Sequence, residues 1–254
     1  MTPDEYLKTI LAKYSIANGS ALQATNIAHD LVPYIQEWAG AYLASLNYSG
    51  SYAKKTAIAG EADLDLLISL TSTTPHSLKE IYNSLFKYLT DKNFTTPRKQ
   101  NVSIGINYRG FKVDLVPAKR QSQQGKDHSL YMNKKSTWTK TNVHQHITLV
   151  RNSSRVQEIQ LIKIWRRNRT LDFPSFYLEL VVLYALNNQP VGQLGNNVLH
   201  VLAYLANNFV NARFVDPENF GNVISNELGQ QEKKLIANFA KGSLTATTWD
   251  QVVT

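Results

Sequence analysis

The chain contains no cysteine, which excludes disulfide bonds and thiolate metal ligands without naming a compartment. It also lacks an apolar run long enough to cross a bilayer: the most apolar stretch, Leu178 to Leu186, is short and interrupted by Glu179. The N-terminus, Met1-Thr2-Pro3-Asp4-Glu5, has neither the basic region nor the apolar segment of a secretory signal. A soluble, cytoplasmic protein with no membrane partner is expected. Internal repeats and low-complexity linkers are missing too. Acidic residues are in deficit, 19 against 27 Lys and Arg, for a formal charge of +8 and a pI near 9.5. That balance suits a polyphosphate or nucleic-acid partner, although many basic proteins have neither.

What is present is enough for a core. The 254 residues are 43% hydrophobic and 18% charged, which fits one large domain or two small lobes. From about Pro3 to Leu46 the pattern is helical, with Leu22, Ile27, Leu31, Ile35 and Trp38 at helical spacings. Asp63 to Ile68 is a strand candidate, and Ser77 to Leu89 an amphipathic helix. Val102 to Ile106 alternates, Arg109-Gly110 supplies a turn, and Phe111 to Val116 alternates again, which predicts a hairpin. Gln121 to Thr141 is polar and turn-rich and reads as an irregular connection. Everything after about Val143 reads as helical: Val156 to Arg167, Ser175 to Asn187 with Ser175 near its N-cap, Val191 to Phe209, and Ser225 to Ala240. The second of these is apolar nearly all round and is expected to be buried.

Period-two geometry gives the sharpest inference. In a strand Asp63 and Asp65 project to one face while Leu64 and Leu66 project to the other, and Asp114 points away from the face of Val113 and Leu115. Three carboxylates then line one side of a sheet whose reverse is core. Aspartate opposes strand propensity, so a compensating reason is expected, and divalent metal binding is one. Upstream, Gly50-Ser51 opens a segment continuing to Lys54-Lys55-Thr56, and such a turn offers backbone N–H groups and a hydroxyl to phosphate oxygens. Singly, each of these features reads better as a solvated polar face or a cap. Their ordered combination is far more specific.

That combination carries a family resemblance. Gly50-Ser51-Tyr52-Ala53-Lys54-Lys55-Thr56-Ala57-Ile58, then Ala62-Asp63-Leu64-Asp65-Leu66, resembles the signature of polymerase-beta-like nucleotidyltransferases. Phe111-Lys112-Val113-Asp114-Leu115-Val116-Pro117-Ala118 resembles their third-aspartate strand. Within that superfamily the chain is most similar to the oligoadenylate-synthase-like branch, which includes bacterial CD-NTases (the oligonucleotide cyclases of CBASS anti-phage defence) and archaeal-type CCA-adding enzymes. Leu161 to Trp165, Pro174 to Leu180, and Val215 to Asn222 resemble helical-lobe motifs of that branch in the same order. Lys55 stands where many relatives have Gly, an exchange a short helix should tolerate.

The resemblance implies an α+β fold: a small mixed β-sheet palm with flanking helices at 47–120, a C-terminal helical lobe at 121–254, N-terminal helices at 1–46 packing across both, and an active site in the cleft between them. It implies two Mg²⁺ or Mn²⁺ ions, with Asp63 and Asp65 binding both and Asp114 binding the one at the acceptor hydroxyl and helping its deprotonation. Two ions roughly 4 Å apart stabilise both the attacking and leaving oxygens of an in-line displacement. Ser51 and the Gly50 backbone are expected to hold the β- and γ-phosphates of an NTP, ATP first among them, with Lys54 beside them. Lys163 is the first helical-lobe candidate for a triphosphate contact, against the reading of a solvated lysine beside Arg166, Arg167 and Arg169. Ser175 and Tyr177 match phosphate or sugar contacts, with a plain N-cap the rival for Ser175 and base stacking a further role for Tyr177. Asp216 and Asn222 are assigned to a loop approaching the base, against a simple Asp-Pro turn. His144 matches a phosphate-contacting histidine of CCA-adding enzymes. His128 beside Asp127 reads as a loop polar pair rather than a catalytic dyad.

Three functions follow in order. The first is a CD-NTase-like synthase of cyclic or linear oligonucleotide signals in anti-phage defence. The second is nucleotide addition to RNA such as a tRNA end, with the basic residues Lys134, Lys135, Lys163, Arg166, Arg167 and Arg169 available to a phosphate backbone. The third, an inactive nucleotide-binding module, is opposed by the presence of all three aspartates.

Overall fold

Apolar residues alternate with polar ones at the start of β2 (Leu64–Leu70) and of β5 (Phe111–Arg120), and these two strands stand at the centre of a seven-stranded sheet. The computed structural model describes residues 1–61 and 63–254, with Asn18 and Ser20 by their backbone alone; Ala62 of the aspartate motif lies outside the described residues. The chain divides into one unit of Ile16–Lys55 and Glu61–Thr148 and another of Met1–Ser15, Thr56–Gly60 and Leu149–Thr254.

The first unit holds the sheet. With β1 (Leu43–Tyr48), β3 (Thr95–Lys99) and β4 (Ile104–Tyr108), the order is β1-β2-β5-β4-β3, while β6 (His128–Met132) pairs with the end of β5 and β7 (Thr137–Thr141) with β6. Only the β2–β5 pair is parallel among these ladders. The expected hairpin is β4–β5, closed by Arg109 and Gly110 at φ 50° and 83°, the double left-handed conformation of a type I′ turn. One face of the sheet is core. Leu64, Leu66, Ile68, Ile104, Ile106, Val113 and Leu115 are buried there against Ile27, Leu31 and Ile35 of α2 (Asn18–Ala39) and Ile81, Leu85 and Leu89 of α4 (Leu78–Asp91). Ser77 caps α4 in a reciprocal box with Glu80, satisfying backbone N–H groups that a helix start leaves orphaned.

Several expectations change here. Leu43 to Leu46 is strand rather than helix, and Leu22 is exposed on α2 while its periodic partners Ile27, Leu31 and Ile35 are buried. The stretch from Gln121 to Thr141 contains β6 and β7, so the sheet unit runs on to Thr148. These outer strands resemble loops in sequence because β7 (Thr-Trp-Thr-Lys-Thr) is largely exposed and needs few apolar residues. β3, with Pro97 and a basic pair, is an edge strand that alternation did not reveal.

The second unit is helical. It comprises α1 (Pro3–Lys13), the end of α5 (Val143–Asn152), α6 (Val156–Asn168), α7 (Ser175–Ala185), α8 (Leu194–Asn207), α9 (Gln230–Leu244) and α10 (Trp249–Val252). The segment at 224–227, expected to begin the last long helix, is a separate 3₁₀ turn. Trp165, Phe173, Tyr177 and Phe209 fill the core, and the Trp165 indole N–H donates to Ser243 Oγ at 2.9 Å. Two buried polar networks cross it. Arg155 pairs with Glu158 at 3.1 Å, and Asn197 donates to the same carboxylate at 2.9 Å. Lys163 Nζ donates to Glu179 Oε1 and Thr56 Oγ1, both at 2.8 Å, and Thr56 donates to Glu179 at 3.0 Å. Thr56, Lys163 and Glu179 are almost completely enclosed.

Removing one member of a buried ion pair leaves its partner's charge uncompensated, which costs about 3–5 kcal/mol. Lys163→Met is therefore expected to lower stability by that amount in chemical denaturation, and Lys163→Met/Glu179→Leu to recover most of it. A Lys163→Met protein as stable as wild type would show that the pair holds nothing together.

Candidate active site

The parallel register of β2 and β5 sets Leu64 beside Val113, Asp65 beside Asp114 and Leu66 beside Leu115. The four apolar side chains are buried; the two aspartates between them are half-buried on the opposite face. Neighbouring strands lie about 4.8 Å apart, so the two carboxylates start from adjacent backbone positions. Asp63 immediately precedes β2, near enough that its charge acts on Asp114. The carboxyl groups of Asp63 and Asp114 are both pushed above the ordinary range, chiefly by burial. For Asp114 the charge of Asp63 adds to the rise, and for Asp63 that of Glu61 does. Lys112 and Arg98 oppose the shift at both.

Beside them lies the glycine-serine turn. Ser49 N–H donates to the Asp65 carbonyl at 2.9 Å, which fixes the turn to β2. Gly50 has φ 58°, and a Cβ added to it would stand 1.8 Å from Asp65 Oδ2, so both conformation and space demand glycine. Ser51 follows, half-buried, in α3 (Gly50–Lys54), and Lys54 is buried at its end. Lys55 is not inside this helix. It closes α3 in the left-handed region at φ 62°, where a side chain costs about 1–2 kcal/mol and glycine is the usual occupant.

The remaining expectations divide. His144 is exposed at the start of α5, its Nε2 3.2 Å from Lys126 Nζ. Asp127 bonds to Lys140 and Asn142 while His128 bonds to Ser69 and the Lys126 carbonyl, so they form no dyad. In the helical unit, Lys163 is no solvated lysine; its ammonium is engaged in the buried triangle described above. Ser175 is exposed in the first turn of α7 but does not cap it: Pro174 occupies that position and the Ser175 hydroxyl accepts from Arg166 at 3.1 Å. Tyr177 is fully enclosed, its ring against Phe173, Phe209 and Phe214. A ring so placed has no face to stack on a base, and the partly open aromatic of this helix start is its neighbour Phe176. Asp216 is the hub of its own loop, accepting from Glu218 N–H at 3.0 Å while its backbone bonds to Asn222 and Asn219.

Sequence reasoning missed Arg98, Lys112 and Gln100. Gln100 Nε2 donates to Asp114 Oδ1 at 2.7 Å. Lys112, two residues before Asp114, shares its face by the strand period, the one local signal available; Arg98 and Gln100 come from β3 and the turn after it.

Among the described residues no group of three Asp, Glu or His side chains converges closely enough to hold a metal ion alone. The donor chemistry nonetheless fits Mg²⁺ or Mn²⁺, because the aspartates are oxygen ligands whose clustered charges are only partly offset by Arg98 and Lys112. Mg²⁺ commonly takes one or two carboxylates and completes its shell with water and substrate phosphates, so a preformed three-carboxylate cage is not required.

Comparison with known proteins adds a second line. The model of the Second Messenger Oligonucleotide or Dinucleotide Synthetase domain matches residues 1–153. A cyclic AMP-AMP-AMP synthase of Escherichia coli (strain MS 115-1) is 24% identical over 188 residues, 65% of this chain and 57% of that protein. E. coli MS115-1 CdnC, in its complex with HORMA-deltaN, superposes at a TM-score of 0.78 with 20% identity, covering 98% of this chain and 96% of that one. The Bradyrhizobium diazoefficiens CD-NTase CdnG in complex with GTP gives a TM-score of 0.82 at 14% identity, with 96% and 90% covered. At such identities the two structures establish a shared fold, and the α+β expectation holds.

A carboxyl held above its ordinary value destabilises the folded state above that raised pKa, and the penalty fades as pH falls through it toward the unfolded value near 3.9. Asp114→Asn keeps the acceptor that Gln100 uses and removes the charge. In the absence of divalent cation it should melt a few degrees higher than wild type at pH 7, with the difference gone below about pH 4. Thermal melts across that range test it, and equal melting temperatures at pH 7 would contradict the charge crowding.

Proposed function

Because the chain belongs to the Second Messenger Oligonucleotide or Dinucleotide Synthetase family, we propose that it transfers nucleotidyl groups from NTPs to a nucleotide hydroxyl without a template. The products are cyclic or linear oligonucleotide signals of the kind used in anti-phage defence. The observation that carries this reading is the register of β2 on β5, which sets Asp65 beside Asp114 next to the Gly50-Ser51 turn. ATP is the first substrate to test, since the matched E. coli relative is a cyclic AMP-AMP-AMP synthase.

In the proposed reaction the acceptor hydroxyl oxygen bonds to the α-phosphorus of the NTP, the bond from that phosphorus to the bridging oxygen breaks, and pyrophosphate leaves. Ser51 and the Gly50 backbone hold the β- and γ-phosphates, and Asp114 orients the acceptor hydroxyl and takes up its proton. Asp63, Asp65 and Asp114 are the residues that would hold two Mg²⁺ or Mn²⁺ ions. Such ions, when bound, neutralise the phosphate charge and stabilise the attacking and leaving oxygens. The rest is positioning rather than covalent catalysis. Lys112 and Arg98 contribute positive field at the same face. Tyr177, fully enclosed, is not the aromatic offered to a base.

The test is an incubation of the purified protein with labelled NTPs and Mg²⁺ or Mn²⁺, with and without tRNA. Small nuclease-resistant products formed without RNA are expected. Asp63→Ala/Asp65→Ala should reduce turnover by about 10²–10³-fold or more while leaving the melting temperature unlowered. Label found only on tRNA, or no NTP consumed under any condition, would overturn the proposal.

A further inference from the structure

A metal-binding carboxylate acts through the oxygen it presents, and something must decide which way it turns. The turn joining β3 to β4 does this for Asp114. Gln100 N–H donates to the Ser103 carbonyl at 2.9 Å, so residues 100–103 fold back tightly. The buried Tyr82 hydroxyl of α4 shares its one proton between the carbonyls of Gln100 (2.7 Å) and Ser103 (3.1 Å), which clamps the turn to the core. Asn133 N–H donates to the Asn101 carbonyl at 2.7 Å from the opposite flank. From this anchored base the Gln100 side chain reaches Asp114 Oδ1, Nε2 to oxygen 2.7 Å.

The amide has one workable orientation. An ionised carboxylate only accepts, so Nε2 must face Asp114, and Oε1 then accepts from the Ser103 hydroxyl at 3.0 Å. Space is reserved for the pair. Gly105 lies beside Asp114 in the β4–β5 register, and a Cβ there would stand 2.7 Å from Gln100 Nε2 and 3.1 Å from Asp114 Oδ1. A glycine inside a strand interior otherwise weakens it, and close approach of other groups is a reason for one.

We propose that Gln100, held by Ser103 and Tyr82, is a positioning residue that occupies Asp114 Oδ1 and so presents Oδ2 to a divalent cation and the acceptor hydroxyl. Its catalytic consequence rests on the nucleotidyl-transfer reading given above. Its effect on metal binding does not. Contacts of this kind, one step behind a metal ligand, are commonly worth 10–100-fold in affinity or activity.

Gln100→Met keeps the length of the side chain and removes the donor. It is expected to lower kcat by about 10–100-fold with KM for ATP within about twofold, and to weaken the binding of Mn²⁺ alone about tenfold, read by electron paramagnetic resonance. Ser103→Ala, which removes the hydroxyl that holds the amide oxygen in place, should move both values in the same direction by less. In an Asp114→Asn background, adding Gln100→Met should leave Mn²⁺ affinity unchanged, because the residue acts through Asp114. Weaker Mn²⁺ binding by Gln100→Met, alongside a wild-type protein that makes no product, would refute the transferase reading and uphold the positioning role. Equal Mn²⁺ affinity in wild type and Gln100→Met, including no binding by either, overturns the positioning role whatever the activity.

Discussion

The parallel pairing of β2 with β5 is the constraint from which the rest follows. A parallel ladder with Asp65 beside Asp114 places two like charges on adjacent strands, an arrangement that is destabilising when the charges are directly opposed. What holds the register is the reverse face. Leu64, Val113, Leu66 and Leu115 flank the aspartates on both strands and are fully buried, each worth roughly 1.5–3 kcal/mol relative to exposure. A one-residue slip of either strand would turn its leucines outward and its aspartate into the core. The apolar face thus dictates where the carboxylates stand, and they are crowded because the core is well ordered.

Crowding explains the company the aspartates keep. The incoming turn and one flanking strand give way to them: a Cβ at Gly50 would collide with Asp65 Oδ2, and one at Gly105 of β4 would press on Gln100 Nε2 and crowd Asp114 Oδ1. Gln100 supplies a neutral donor and Arg98 and Lys112 supply diffuse positive field. None of these abolishes the charge excess, since burial still holds the Asp63 and Asp114 carboxyls above their ordinary range. A stronger, closer cation would.

Alternation along Leu64–Leu66 and Phe111–Val116 is enough to place Asp65 and Asp114 on one face, because strand geometry has a fixed period of two and the apolar positions reveal its phase. The same reasoning has nothing to say where phase is hidden. α7 is apolar nearly all round, so its pattern cannot distinguish Phe176 from Tyr177, about 100° apart on the helix. Whether Lys163 points to water or to the interior depended on Glu179 of another helix and on Thr56, far away in sequence. Lys55 looked like a helix residue because the end of a five-residue helix leaves no periodic trace, while its positive φ is a backbone property. Gln100 is the extreme case: its relation to Asp114 depends on the register of a hairpin and the closure of a neighbouring turn, and no local pattern records either.

On the proposed transferase reading, a divalent cation at these aspartates completes its shell with the phosphates of the nucleotide. A cage that bound Mg²⁺ tightly by itself would need its carboxylates converged and desolvated before any phosphate arrived, at the expense of further repulsion between Asp63, Asp65 and Asp114. Holding them apart by strand spacing, with Asp114 turned by Gln100 and Asp65 set against the Gly50 turn, leaves the convergence to be driven by cation and triphosphate together. On that same reading, affinity for the cation is coupled to occupancy by a nucleotide. Such coupling favours ions that arrive with a polyphosphate, and it puts the Gly50-Ser51 turn, beside Asp65, at the point where both charges meet.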